Sequence, residues 1–208
     1  MVVGDSLASV GKVGLADALA SMGWTPLIDA TAGRSIVYEA DARFSGVARV
    51  SALRAAGIDP RVWVVELGTN DVYFVGLCGC ADLVAASDSR IQLMIDAIGP
   101  GHEIYWIGPQ RFDQRSLTIA FNQALRNKVA SGDLAGVVEW SVLSQSHRAD
   151  WFTDDAHLSP DGYTAWIAAI VATLGTTRFS PDVWAPRAPI LVRVSTQMAR
   201  RFVHPRTG

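Results

Sequence analysis

The segment Val62-Trp63-Val64-Val65-Glu66-Leu67-Gly68-Thr69-Asn70-Asp71 decides the fold class. Val62, Val64, Val65 and Leu67 make its first six positions a near-continuous apolar run, as in a central strand buried on both faces. Gly68, Asn70 and Asp71 then supply ordinary turn residues. A strand of that kind belongs to a parallel sheet with helices on both sides. Working outward, short apolar or β-branched runs at Met1–Val3, Pro26–Ala30, Glu103–Ile107 and Gly136–Trp140 read as further strands. Between and after them, helical stretches are expected at about Ala8–Met22, Val37–Ala56, Ala81–Ile98, Asp113–Ser131 and Pro160–Leu174. This alternation predicts an α/β fold with a parallel sheet. The last helix has clear boundaries: Ser159 as N-cap, Pro160 at its first position and Gly175 just past its end.

At 208 residues, the chain can bury roughly 70% of its unfolded surface, so one domain needs no disulfide or metal staple. Half of it is hydrophobic and 18% is charged, which excludes a disordered chain. The longest apolar run, Ala165–Leu174, is far short of the ~20 residues that span a bilayer, so no transmembrane segment is expected. A net charge of −2 argues against a nucleic-acid partner. No basic stretch followed by an apolar one marks a signal peptide at the start, which makes a cytoplasmic location the default. Only three residues precede Gly4, so either the first strand is short or the natural chain continues upstream, where a missing segment could supply an export signal. Two cysteines, Cys78 and Cys80, rule out a disulfide framework and a Cys-based zinc site, and read as small loop residues, with a strained local disulfide as the alternative. Arg178–Gly208 holds six arginines, four prolines and one acidic residue. It reads as an irregular basic extension.

Four short pieces could carry chemistry. Gly4-Asp5-Ser6-Leu7 lies where a strand gives way to a helix, which would hold Ser6 above the sheet edge near free helix N–H groups. As a plain helix cap, the same triplet would mean nothing more. Asp154-Asp155-Ala156-His157 precedes the last helix. A nucleophilic serine needs a base, and an imidazole suits neutral pH when a carboxylate fixes its tautomer. Asp154, three residues upstream of His157, can turn back onto the ring within one loop. Asn70 ends the central strand, where its amide could donate to an oxyanion. Gly33, in Ala32-Gly33-Arg34, would let a backbone N–H approach a ligand. Each piece alone is ordinary. Together, Ser6, Gly33 and Asn70 follow the first three strands and His157 precedes the last helix, which puts all four on one edge of a parallel sheet.

In these four pieces the sequence resembles the SGNH hydrolases, the GDSL-type lipases and esterases, over roughly residues 1–176. Residues 177–208 lie outside the resemblance. It implies a three-layer α/β/α sandwich with a five-stranded parallel sheet of flavodoxin-like order. It also implies a serine esterase without cofactor or metal, with Ser6, His157 and Asp154 as triad. The N–H groups of Ser6 and Gly33 and the Asn70 side chain would form the oxyanion hole. The substrate would be a small-molecule, glycan or lipid ester. A looser similarity, carried by Ala32-Gly33-Arg34 and the run from Asp154 to Gly162, points to SGNH domains of acyltransferases such as peptidoglycan O-acetyltransferases. An O-acyltransferase with the same triad is therefore an alternative, and a non-catalytic carbohydrate or lipid binder on the same scaffold a further one.

Other residues have simpler expectations. Arg34 could contact a substrate carboxylate or phosphate, and Trp151 could line a pocket. The simpler reading of each is structural: a surface loop charge or an ion pair for Arg34, aromatic core packing for Trp151. Asp5 is expected to order the turn around Ser6, and Glu66 to find a partner near the end of its strand, since an unpaired buried carboxylate is costly. Trp63, Trp106 and Trp140 read as core. His102, His147 and His204 have no accompanying ligand set.

Overall fold

A computed structural model of the chain describes residues 1–175. The expected basic extension lies outside the described residues. Five strands form one parallel sheet: β1 (Val2–Gly4), β2 (Ile28–Ala30), β3 (Val62–Glu66), β4 (Glu103–Ile107) and β5 (Gly136–Val138). Their order is β2-β1-β3-β4-β5. The short β1 lies inside the sheet, with Val2 registered against Ile28 on one side and Val64 on the other.

Side chains alternate across the sheet because successive Cβ atoms in a strand point to opposite faces. Val3, Trp63, Val65 and Trp106 enter one apolar core, whereas Val2, Val62, Val64 and Tyr105 enter the other. The first core is closed by α3 (Gly46–Ala55), α4 (Asp71–Leu77), α5 (Leu83–Ile98) and α6 (Arg115–Ser131). The second is closed mainly by α1 (Ser6–Val10), α2 (Lys12–Ser21) and the last helix, Pro160–Gly175. The result is a three-layer α/β/α sandwich. The two short helices before that last one are α7 (Trp140–Ser144) and α8 (Arg148–Trp151), which makes the last helix α9. No helix among the described residues is long and apolar enough to cross a membrane.

The structure departs from the sequence reading in four places. The expected first helix is two, split at Gly11, where a Cβ would stand 3.1 Å from the Tyr163 ring. The expected helix at Val37–Ala56 begins only at Gly46. Ser45 caps it through Ala48 N, and Asp41 caps the separate turn Ala42–Phe44. Gly68 to Asp71 is not a simple turn, because Asp71 already opens α4. Finally, Cys78 and Cys80 are joined by a disulfide just beyond α4. Gly79 between them has φ +62, a left-handed conformation that folds the chain back on itself.

Candidate active site

Ser6 opens α1 directly after β1, at the C-terminal edge of the sheet. The turn beneath it is held by carboxylates. Asp5 Oδ1 accepts the Leu7 N–H at 3.0 Å. Glu66 Oε2, from the end of β3, accepts the Asp5 N–H at 3.0 Å and the Ala8 N–H at 3.2 Å. The Ser6 N–H between them has no partner among the described residues. Gly4 permits this approach, since a Cβ there would lie 2.7 Å from Glu66 Oε2.

This floor is fully inside the protein: Asp5 is 0% and Glu66 3% exposed. Burial pushes the Asp5 carboxyl up to about 6, against the stabilising bond from Leu7 N–H. Burial first, and then the charge of Asp5, push Glu66 well above the usual carboxylate range. Glu66 is the member of the pair that keeps its proton. Asp71 forms a third buried carboxylate and is also raised by burial. It is opposed by Arg90 and by the Ile36 N–H that it accepts at 3.0 Å. It thereby ties α4 to the segment after β2.

Two other expected donors reach the same edge. Thr31 to Arg34 form a turn closed by Arg34 N–H to Thr31 O at 3.1 Å. Gly33 in that turn has φ +78, and its N–H is uncommitted among the described residues. The Asn70 amide donates to Arg34 O at 2.8 Å and to Asp5 Oδ2 at 3.2 Å. Asn70 therefore links the β3 end, the Ser6 turn and the Gly33 turn.

His157 comes from the opposite side, on the loop between α8 and α9. Its Nε2 lies 3.1 Å from Ser6 Oγ, and its Nδ1 lies 2.7 Å from Asp154 Oδ2. Asp154 Oδ1 accepts the N–H groups of Ala156 and His157, both at 2.7 Å. Partial burial works to raise Asp154, but these bonds and the imidazole outweigh it and draw the carboxyl down to about 2. The loop is clamped at its base by Thr153 N–H to His157 O, 2.9 Å, and by Ser159 N–H to Trp151 O, 2.9 Å. It is brought to the sheet by Phe112 N–H, which donates to Asp155 O at 3.0 Å.

Arg34 and Trp151, each read from the sequence as a ligand contact or a structural residue, have structural partners. Arg34 is only 3% exposed. Its guanidinium donates to Gly4 O, Asp29 O and Thr31 Oγ1 and pairs with Asp29 at 2.9 Å, which closes the ends of β1 and β2 together. Trp151 is stacked between Trp140, centroids 5.5 Å apart, and His147, 3.8 Å apart. Conversely, Glu66 was expected only to be paired near its strand end. Its partners are two backbone N–H groups flanking Ser6, and the sequence signal was a lone acid in an apolar strand.

The arrangement is a hydroxyl, an imidazole and a carboxylate in one hydrogen-bonded line, next to two free backbone N–H groups and an amide. Such a line can withdraw a proton from the hydroxyl and return it to a leaving group.

A scan against protein-family models and a search of curated proteins gave no match. Solved structures do match. The C-terminal catalytic domain of Streptococcus pneumoniae peptidoglycan O-acetyltransferase A superposes with TM-score 0.62 at 15% identity, covering 85% of this chain and 92% of that one. TesA gives TM-score 0.62 at 23% identity, covering 83% and 96%. A carbohydrate esterase family 3 protein from Talaromyces cellulolyticus gives TM-score 0.63 at 15% identity, covering 84% and 94%. A GDSL-family lipolytic protein from Veillonella parvula is also similar, with TM-score 0.61 at 15% identity, covering 86% and 97%. The five-stranded sheet and its two helical layers are thus the fold of the SGNH hydrolases.

Proposed function

We propose that the protein is a serine hydrolase that cleaves a carboxylic ester through an acyl-enzyme. Ser6 is the nucleophile, His157 the general base and Asp154 its anionic partner. The observation that carries the reading is the unbroken line from Asp154 Oδ2 through the imidazole to Ser6 Oγ, with steps of 2.7 and 3.1 Å. Asp154 holds the proton on Nδ1, which leaves the Nε2 lone pair facing the hydroxyl. Ser6 Oγ attacks the carbonyl carbon as its proton passes to Nε2. The tetrahedral oxyanion takes the N–H groups of Ser6 and Gly33 and the Asn70 amide. It displaces Asp5 from Asn70, the longer of that amide's two bonds. One such donor is typically worth ~10²–10³ in kcat. His157 then protonates the leaving alcohol, and water resolves the acyl-enzyme by the reverse path. A short acyl group on a sugar or lipid suits this exposed site.

The test is Ser6→Ala. The variant should lose turnover of 4-nitrophenyl acetate and labelling by a fluorophosphonate, with its circular dichroism unchanged. Hydrolysis that survives the substitution would assign the nucleophile elsewhere. A wild-type chain that resists the fluorophosphonate would be a binder rather than an enzyme.

The likeness to an O-acetyltransferase domain favours one second reading, in which an acceptor hydroxyl replaces water in the last step. Incubation with an acetyl donor and a glycan acceptor separates the two: free acetate alone marks the hydrolase, acetylated glycan the transferase.

A further inference from the structure

A cleft of about 330 Å³ opens beside the His157 loop, between the start of α6 and α7. Its wall is attached to that loop at three points. Phe112 N–H donates to Asp155 O at 3.0 Å, the Phe112 and Phe152 rings meet edge to face at 4.9 Å, and Arg148 pairs with Asp155. Arg111, Arg115 and Arg148 all line the cleft, and among the described residues no carboxylate does. Arg111 is held by Asp113 at 2.8 Å and Arg148 by Asp155, which leaves Arg115 with no acidic partner among the described residues. Arg115 is also the first residue of the seventeen-residue α6, whose N-cap Gln114 makes no side-chain capping bond. The positive end of the helix dipole therefore adds to the guanidinium.

A second observation is independent of these charges. Gln110 lines the cleft and is 8% exposed, yet its amide makes no hydrogen bond among the described residues. The amide atoms reach the solvent of the cleft, where the NH2 group is free to donate to a ligand oxygen. Position then says which part of a substrate arrives there. The imidazole returns its proton to the leaving alcohol, so the alcohol portion of the ester must lie on the imidazole side. The cleft adjoins the loop that carries the imidazole, through Phe112, Phe152 and Arg148.

We propose that the cleft binds an oxyanionic group, a carboxylate or a phosphate, on the alcohol portion of the ester, with Arg115 and Gln110 as its specific donors. The natural substrate is then an acyl ester of an acidic alcohol, such as an acidic sugar or a phosphate-bearing polyol. This rests on the ester-hydrolase reading of Ser6 and His157.

Three aryl acetates of one shape test it: methyl 4-acetoxybenzoate, which is neutral, 4-acetoxybenzoate and 4-acetoxyphenyl phosphate. At low salt, kcat/KM for one or both anionic esters should exceed that of the neutral ester by about tenfold or more, as a charge-assisted contact provides. Which anion is preferred identifies the group. The preference should shrink in roughly 0.5 M NaCl, and Arg115→Ala should bring the ratio close to one. Hydrolysis of all three esters at equal kcat/KM overturns the cleft assignment and leaves the hydrolase reading intact. So does an anionic preference that Arg115→Ala retains. Absence of any turnover together with absence of fluorophosphonate labelling overturns both.

Discussion

Ser6 stands on a floor of buried carboxylates, whereas His157 stands on an exposed loop. The two ends of a single 3.1 Å hydrogen bond are held by different kinds of structure. At the serine, Glu66 reaches across 61 and 58 residues of sequence to bind the N–H groups of Asp5 and Ala8. At the histidine, Asp154 binds N–H groups two and three residues away, and the side chains of Asp154 and His157 are 56% and 50% exposed. The nucleophile is thus placed by bonds that also hold the fold together. The base is placed by bonds within its own loop, and the sheet feels little of them. Loss of the base should therefore remove activity alone, and loss of the floor should cost stability and activity together.

The largest expected effect breaks the relay at its exposed end. His157→Ala should lower ester turnover by ~10⁴-fold or more, while urea denaturation changes by no more than about 0.5 kcal/mol. A large loss of stability in this variant would mean that the loop is part of the cooperative fold, and the contrast would fail. Next comes the buried end. Glu66→Ala leaves the Ala8 N–H unsatisfied inside the protein, whereas the Asp5 N–H keeps its 3.2 Å bond to the main-chain O of residue 66. That one group is worth ~1–3 kcal/mol, which should disappear from the urea transition. Turnover should fall as well, by about 10²-fold if the turn moves on the ångström scale. Glu66→Gln retains a carbonyl acceptor and should recover most of both. Equal losses in the Ala and Gln variants would show that the proton on Glu66, rather than its acceptor oxygen, supports the turn.

The same contrast explains what could be read from the sequence. Local rules sufficed for the five strands, whose apolar runs survive in any context, and for the spacing of Asp154 and His157, which one loop can close. The roles of Arg34 and Glu66 needed tertiary knowledge. An arginine after a strand looks like a loop cation until Gly4 O, Asp29 O and Thr31 Oγ1 are seen converging on it. Glu66 looks in need of a cation until two backbone donors arrive from the turn that follows β1. Residues 37–45 carry helix-forming composition, but the pairing of Ser35 with Ser45 holds that segment out of a helix. The arginine cleft has only part of its signature in the stretch from Gln110 to Arg115, because Arg148 comes from α8 and only packing brings it there.

The smallest effect is also the sharpest discriminator, because the two ends carry proton linkage of opposite sign. Asp5 moves from an ordinary 3.8 up to about 6 on folding. Between those values the folded state binds more proton than the unfolded one, so this contribution is complete below about pH 4 and is lost as pH rises through about 6. Asp154 moves from 3.8 down to about 2. Its contribution is complete above about pH 4 and is lost as pH falls through about 2, and it is small because the group is largely exposed. Glu66 and Asp71 share the sign of Asp5, and Asp29, Asp41 and Asp113 share that of Asp154, so the wild-type curve mixes both. Variants separate them. Asp5→Asn removes the titrating carboxyl itself and should flatten the decline of urea stability between about pH 4 and 6, leaving the acid limb alone. Asp154→Asn should flatten only the limb below about pH 4. If both substitutions alter the same limb, the serine and histidine sides titrate as one network, and the division between a buried floor and an independent loop does not hold.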